Sequence, residues 1–556
     1  MRAVFGLGRR LGHNGVRVVR RLVARSVLDK RADVAGLWLL ARIGPRLGER
    51  RTRSVILSRE PSPIALIDLL RALDAARSDA RVAGVMLRFE GSPGGFARAA
   101  ALRRAVARLR EAGKPVWAWG ESYDALGYYV ACAADRVELP PSGSLHLVGL
   151  RSQQWFGREL LDKLGVRAEV VRIGSNKAAA EPLVRRSMSH EQREQVDAFQ
   201  AEVFDELVSA IAAGRGMAAE AVRRHIDEGP HSAEAALERG LFDACRYPDE
   251  VEAELRERAA RPTRPPGQGD GGPTSDEDSP LVDVATYFAL HASDTGWQPL
   301  RRDLPRLAYV VTSGTIARGR SQRGIGSQRY GELFGRLMRD DAVRGVVLRI
   351  DSPGGDAVAS DLLHRAVEQL AERKPVVVSL GEVAASGGYY LAAGGHRVLA
   401  ERTTLTGSIG VVGGKLDLSG LYQQLGIDVD AIERGERAGL LSETRGFTPD
   451  ERKAVQRQMR VLYATFKNRV ARGRSLEPAA VEAAAQGRIW SGERARELGL
   501  VDVLGGPLEA LAELCERAGL AVGERFALDI HPQRPALIGL PSWLRGLSLR
   551  ARVHLD

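Results

Sequence analysis

The chain has 556 residues, 44% of them hydrophobic and 27% charged, with a formal net charge of +11. It is long enough for two or more domains, each with its own core, and its composition excludes a disordered or fibrous protein. Cys132, Cys245 and Cys515 are scattered and odd in number, which excludes a disulfide framework and a metal knuckle, so they read as core thiols.

The charge is concentrated at the start. Residues 1–53 hold 14 Lys or Arg against Asp29, Asp33 and Glu49, and the rest of the chain carries 67 charges of each sign. Such a basic tail suits an anionic partner, either a nucleic acid or a membrane surface. Val18, Val19, Leu22, Val23 and Val27 share one helical face, which favours the membrane surface over nucleic acid. A helix packed on the first domain is the plainer alternative. The apolar run VAGLWLLA from Val34 stops at Arg42, too short to span a bilayer and without the small-residue cleavage site of a secretory signal.

From Ser54 to Ala259, β-branched runs alternate with helical patterns, the signature of an α/β domain. VAGVMLRFEGSPGG from Val82 reads as a strand entering a glycine-rich turn, and RIGSNKAAAEP carries Lys177 among small residues. Residues 260–280, rich in Pro, Gly and acidic residues, read as a flexible linker. The unit that follows, residues 281–524, repeats the first. VRGVVLRIDSPGG from Val343 echoes the run at Val82, and GYYLAAGGHRVLA from Gly388 echoes GYYVACAADRVEL from Gly127. Gly127 and Gly388 are 261 residues apart, as are Leu164 and Leu425, and Asp243 and Asp502 are 259 apart. Self-similarity on this scale means two copies of a domain, not a solenoid. Residues 525–556 read as a C-terminal tail.

Pro353, Gly354 and Gly355 fall where a strand gives way to a helix, so backbone N–H groups there suit a developing oxyanion. SPGG alone is equally an ordinary turn. Ser386, in VAASGG at a helix start, is a candidate nucleophile, although a lone serine there is more often a cap. A serine nucleophile needs a base. His364 and His396 fit no triad pattern, and His396 reads as a loop cap. Only eight of the 81 basic residues are lysine, so arginine serves wherever a permanent charge suffices. Lys177, kept among small residues, is therefore the candidate base, since a buried amine gives up its proton.

At the 261-residue offset Ser386 corresponds to Ala125 and Lys177 to Ala438, so each copy holds the residue that the other has lost. One composite site across the two copies follows. Lys415, in GVVGGKLDL, is the rival base from the serine's own copy, in a segment that reads as solvated. Asp124 beside Ala125, and an extra residue in GSPGG from Gly91, mark the first copy as one that keeps the fold without the chemistry. Ser122 reads as structural, and the pairs Tyr128/Tyr129 and Tyr389/Tyr390 as helix packing.

Together with TLTGSIGVVGG from Thr404 and QGRIWSGERARELGLVDVLGG from Gln486, these motifs resemble the long, tandem-repeat form of the signal peptide peptidase A family over roughly residues 54–515. The resemblance implies an α/β protein with two tandem ClpP/crotonase-like domains in one elongated protomer. It implies a serine endopeptidase with a Ser-Lys dyad, cleaving apolar peptides such as released signal peptides through an acyl-enzyme. Residue by residue, it implies Ser386 as nucleophile, Lys177 as general base, Ser408 of TGSIG orienting the lysine, and the Gly354 and Gly355 amides holding the oxyanion, with no metal and no cofactor. It further implies a ring-like homo-oligomer, a tetramer, associated with a membrane. Long members usually carry an N-terminal transmembrane anchor. This chain departs from that pattern, leaving peripheral membrane contact through the basic tail, or a cytoplasmic location, as the expectations. Two other readings share parts of the pattern. A crotonase-like acyl-CoA enzyme would use the glycine turns but would need neither Ser386 nor Lys177, and a non-catalytic scaffold would keep the fold with Ser386 unreactive.

Overall fold

The computed structural model describes residues 36–45, 47–49, 64–259, 281–288, 304–321, 323–521 and 523–532. The helical face expected near residues 18–27, the linker at 260–280 and residues 533–556 of the expected C-terminal tail lie outside the described residues. Ala527–His531, read as part of that tail, is a strand of the second sheet, paired parallel with Arg306–Ser313.

Continuous apolar runs without alternation form parallel strands buried on both faces, with helices packed over them. The first sheet runs in the order Leu281–Asp283, Leu37–Ile43, Val82–Phe89, Val116–Gly120, Arg136–Leu139 and Ala244–Cys245, parallel throughout. The second is built on Arg306–Ser313, Val343–Ser352 and Val376–Ala385, again parallel, and Leu405–Gly407 extends it toward an antiparallel edge at Ile489–Ser491.

The repeat is visible in equivalent contacts. Tyr128 Oη donates to the Leu241 carbonyl at 2.6 Å and Tyr389 Oη to the Leu500 carbonyl at 2.8 Å. Asp243 accepts the Val137 N–H at 2.7 Å, and Asp502 accepts the Val398 N–H at 2.7 Å. The tyrosine pairs are buried packing residues.

The first domain starts earlier than the sequence pattern indicates. Leu37–Ile43, inside the segment read as a basic tail, is a buried strand of the first sheet, paired with Val82–Phe89. Leu281–Asp283, read as the opening of the second copy, pairs with that strand and completes the first sheet. Glu49 is likewise structural. Its Oε1 accepts from Nη2 of Arg349 at 2.9 Å, and Arg349, in the second repeat, is fully buried. Among the described residues no helix is long and apolar enough to cross a membrane.

A helix and a two-stranded ribbon also join the repeats. Helix Phe96–Glu111 of the first carries Arg104 onto Glu401 and Glu509 of the second, and Arg108 onto Glu509. Arg167–Ile173 of the first pairs antiparallel with Val411–Asp417 of the second, with Ile173 opposite Val411 and Arg167 opposite Asp417. This ribbon brings Lys177 to the second repeat.

Candidate active site

Strand Val376–Ala385 ends against helix Gly387–Ala392, and Ser386 is the single residue between them. Its backbone, φ 54° and ψ −119°, is sparsely populated for a residue with a side chain. Such strain persists only where the surroundings over-determine it, and a sharp strand-to-helix turn lifts a hydroxyl clear of the sheet. The neighbours are small because the backbones touch. A Cβ on Gly354, whose φ is +100°, would lie 2.6 Å from the Gly387 nitrogen and 2.9 Å from Ser386 Cβ.

Lys177 follows the inter-repeat ribbon. The Asn176 N–H donates to the Gln486 carbonyl at 2.8 Å, and Gly487 packs so closely that a Cβ there would come within 2.6 Å of Lys177 Cβ. The lysine is 4% exposed. Its Nζ donates to Ser386 Oγ at 2.9 Å, to the Ser408 carbonyl at 2.8 Å and to Ser408 Oγ at 3.0 Å. Ser408 also has a positive φ, 51°, and offers the amine both its hydroxyl and its carbonyl. Three acceptors match the three N–H bonds of an ammonium. A neutral amine in the same place would keep two donors for Ser408 and turn its lone pair toward the Ser386 hydroxyl. Burial alone pulls the Lys177 pKa from 10.5 down to about 8.

The structure thus brings Ser386, Lys177 and Ser408, three residues chosen from the sequence, into one hydrogen-bonded group. The glycine turn is arranged differently from the expectation in one respect. The Gly354 N–H already donates to Ser352 Oγ at 3.1 Å, and Ser352 Oγ donates to the Gly314 carbonyl at 2.7 Å. The N–H groups of Gly355 and Gly387 have no acceptor among the described residues. Gly387 was not singled out in the sequence, although the residue after a nucleophile at such a turn is a common oxyanion donor.

The rival groups lie elsewhere. Lys415 Nζ donates to the Ser442 carbonyl at 2.8 Å and sits 4.7 Å from the centre of the Phe447 ring. His364 Nδ1 meets the Tyr390 carbonyl at 3.0 Å in the core, and His396 Nδ1 accepts the Val376 N–H at 3.1 Å in a loop. In the first copy Asp124 caps helix Ala125–Ala131 through the Gly127 N–H at 2.6 Å, and Ser122 is exposed on a short strand. Ala438, the counterpart of Lys177, is exposed.

The profile of Peptidase family S49 matches the chain twice, over residues 108–261 and 368–521. The chain is 32% identical over 496 residues to the chloroplastic serine protease SPPA of Arabidopsis thaliana, covering 88% of this chain and 71% of that protein. It is 29% identical over 489 residues to Protease 4 of Salmonella typhi, covering 86% and 75%. Among solved structures, a ClpP1 variant from Listeria monocytogenes is similar with a TM-score of 0.25 and 13% identity, over 36% of this chain and 94% of that one.

Proposed function

The chain belongs to peptidase family S49 and is a serine-type peptidase, and from that premise we propose that it cleaves apolar peptides, released signal peptides among them, with a Ser386–Lys177 dyad. The observation that carries this reading is the 2.9 Å contact between Lys177 Nζ and Ser386 Oγ, made across two repeats by a buried lysine. The neutral amine takes the Ser386 proton as Oγ attacks the peptide carbonyl. The N–H groups of Gly355 and Gly387 hold the oxyanion, and Gly354 keeps the turn close to the serine. Lys177 then protonates the leaving amine. The resulting Ser386 ester is hydrolysed by a water that the regenerated amine deprotonates. Ser408 orients Nζ in both halves of the cycle. The preference for apolar peptides rests on the family resemblance. Hydrolysis of a fluorogenic apolar peptide by wild type, but not by Ser386→Ala or Lys177→Ala, is expected. Survival of activity in Lys177→Ala would give the role of base to another residue.

The same reading extends to assembly. At the 261-residue offset, the two ribbon strands correspond to residues 150–156 and 428–434, neither of which forms a strand in the single chain. Positions buried at the internal seam are exposed at its counterpart: Val171 is 3% exposed but Ile432 is 91%, and Ile409 is 0% exposed but Val148 is 58%. A second copy that repeats the internal seam would cover both, joining copies head to tail into a closed ring. Light scattering should find a homo-oligomer that Ile432→Glu dissociates, and an unchanged mass would refute this assembly. Peripheral membrane attachment is assigned to residues 1–35, and loss of binding to anionic vesicles on their deletion tests it. The deletion must stop before the strand at Leu37.

A further inference from the structure

The first repeat retains a glycine-rich turn without chemistry of its own, and the second repeat fills it. Helix Phe96–Glu111 begins after Gly95, which has no side chain with which to cap it. The Ala97 and Arg98 N–H groups donate instead to Oε2 and Oε1 of Glu382, at 2.8 and 2.9 Å. A carboxylate in that position satisfies two orphan amides at the positive end of the helix. Glu382 belongs to strand Val376–Ala385 and stands four residues before Ser386. Burial pushes its carboxyl upward, while the two N–H groups, Arg349 and Arg98 pull against that push.

The two copies treat the same position differently. Asp356 caps helix Ala357–Ala371 with its own carboxylate, accepting the Ala359 N–H at 2.8 Å. Glu121, the counterpart of Glu382 at the repeat offset, is exposed. One glycine turn is thus closed by a carboxylate from the other repeat. The other, capped from within, keeps the Gly355 N–H open for substrate.

We propose that Glu382 is a positioning residue: seated in the glycine-rich turn of the first repeat, it fixes the end of the strand that presents Ser386. This rests on the Ser-Lys reading above. The strained Ser386 backbone is held on one side by its N–H bond to the Gly407 carbonyl, at 2.8 Å. Along the chain before it, only Val383, Ala384 and Ala385 separate Ser386 from Glu382, and the Val383 N–H donates to Asp351 Oδ1 at 3.2 Å. Anchoring Glu382 therefore limits how far Oγ can drift from Lys177. The first repeat then serves the reaction twice, with its lysine and with its vestigial turn.

Gly95 allows this contact to be broken without touching the second repeat. Its backbone is extended, φ 176°, so alanine brings no strain there, but an added Cβ would lie 2.2 Å from Glu382 Cδ. The test compares full-length wild type, Gly95→Ala, Glu382→Ala, Glu382→Gln and the Gly95→Ala/Glu382→Ala double variant. The readouts are kcat and KM on an apolar fluorogenic peptide, fluorophosphonate labelling of Ser386, and thermal midpoint. Each alanine variant should lower kcat per labelled serine by about 10- to 100-fold, with KM nearly unchanged, as expected for a misplacement of about 1 Å. The double variant should be no worse than either single one, and Glu382→Gln, which keeps an acceptor oxygen, should recover part of the loss. Unchanged kcat per labelled serine in Gly95→Ala, or losses that multiply in the double variant, would overturn the proposal. A purely structural contact would lower the thermal midpoint and the labelled fraction while sparing kcat per labelled serine. Ser386→Ala is the separate control: its activity would refute the Ser-Lys reading, whereas an inactive Ser386→Ala beside a fully active Gly95→Ala refutes only the role of Glu382.

Discussion

Replacing Lys177 by methionine, similar in length and without charge, should abolish activity at every pH and change how stability depends on pH. Burial brings the Lys177 pKa from 10.5 to about 8, and only the neutral amine can accept the Ser386 proton. Acylation of Ser386 should therefore rise about tenfold per pH unit below pH 8 and level off above it. The same shift enters the folding equilibrium. Because burial disfavours the ammonium, the folded state bears the full cost at and below about pH 8, where Lys177 is protonated in both states, and between about pH 8 and 10.5 the unfolded chain alone holds the extra proton. A difference of 10.5 minus about 8 amounts to about 3 kcal/mol, and the cost fades as pH climbs from 8 to 10.5. Lys177→Met has no such term. Between pH 7 and pH 10, wild type should thus gain about 2 to 3 kcal/mol relative to Lys177→Met, whatever the lost hydrogen bonds contribute at each pH. Fluorophosphonate labelling from pH 6 to 10 measures the first effect, and urea unfolding of both proteins at pH 7 and pH 10 the second. A labelling rate that is flat across this range or has its midpoint near 10.5, or a stability difference that ignores pH, would refute the reasoning.

Ser408→Ala removes an acceptor that favours the ammonium, so the labelling midpoint should fall below 8 while the plateau drops about tenfold through lost orientation; an unchanged profile would remove Ser408 from the site. Gly354→Ala places a Cβ 2.9 Å from Ser386 Cβ at φ +100°, and peptide hydrolysis should fall by at least about 100-fold with circular dichroism unchanged. Glu49→Ala leaves Arg349 buried without its carboxylate and should cost about 3 to 5 kcal/mol in urea unfolding.

The parts legible in the sequence were those carried by residue identity. Two copies kept their spacing closely enough for Ser386 and Lys177 to stand out against alanine at the equivalent positions, and the scarcity of lysine made Lys177 conspicuous. What escaped depends on where a residue lies relative to the seam. Glu121 and Glu382 share a local pattern, GESYD against GEVAA, yet one is exposed and the other occupies a helix terminus of the opposite repeat. Arg167–Ile173 becomes a strand because Val411–Asp417 lies beside it, while residues 428–434 pair with no strand among the described residues. Leu37–Ile43 was hidden for another reason. A strand buried on both faces shows no alternation, and this one directly follows a strongly basic stretch. The Gly387 N–H has a signal in its place directly after the candidate nucleophile, whereas the Gly354 N–H contact to Ser352 leaves no mark in residue type.

The most direct test of the composite site is complementation between two inactive chains. Ser386→Ala and Lys177→Ala proteins would be unfolded together, refolded as a mixture and assayed on the fluorogenic peptide beside wild type treated in the same way. With both residues of each site supplied by one chain, every site in the mixture lacks a serine or a lysine, and the mixture should stay inactive while refolded wild type recovers. Activity in the mixture would mean that Lys177 of one chain serves Ser386 of another, contradicting the intrachain dyad.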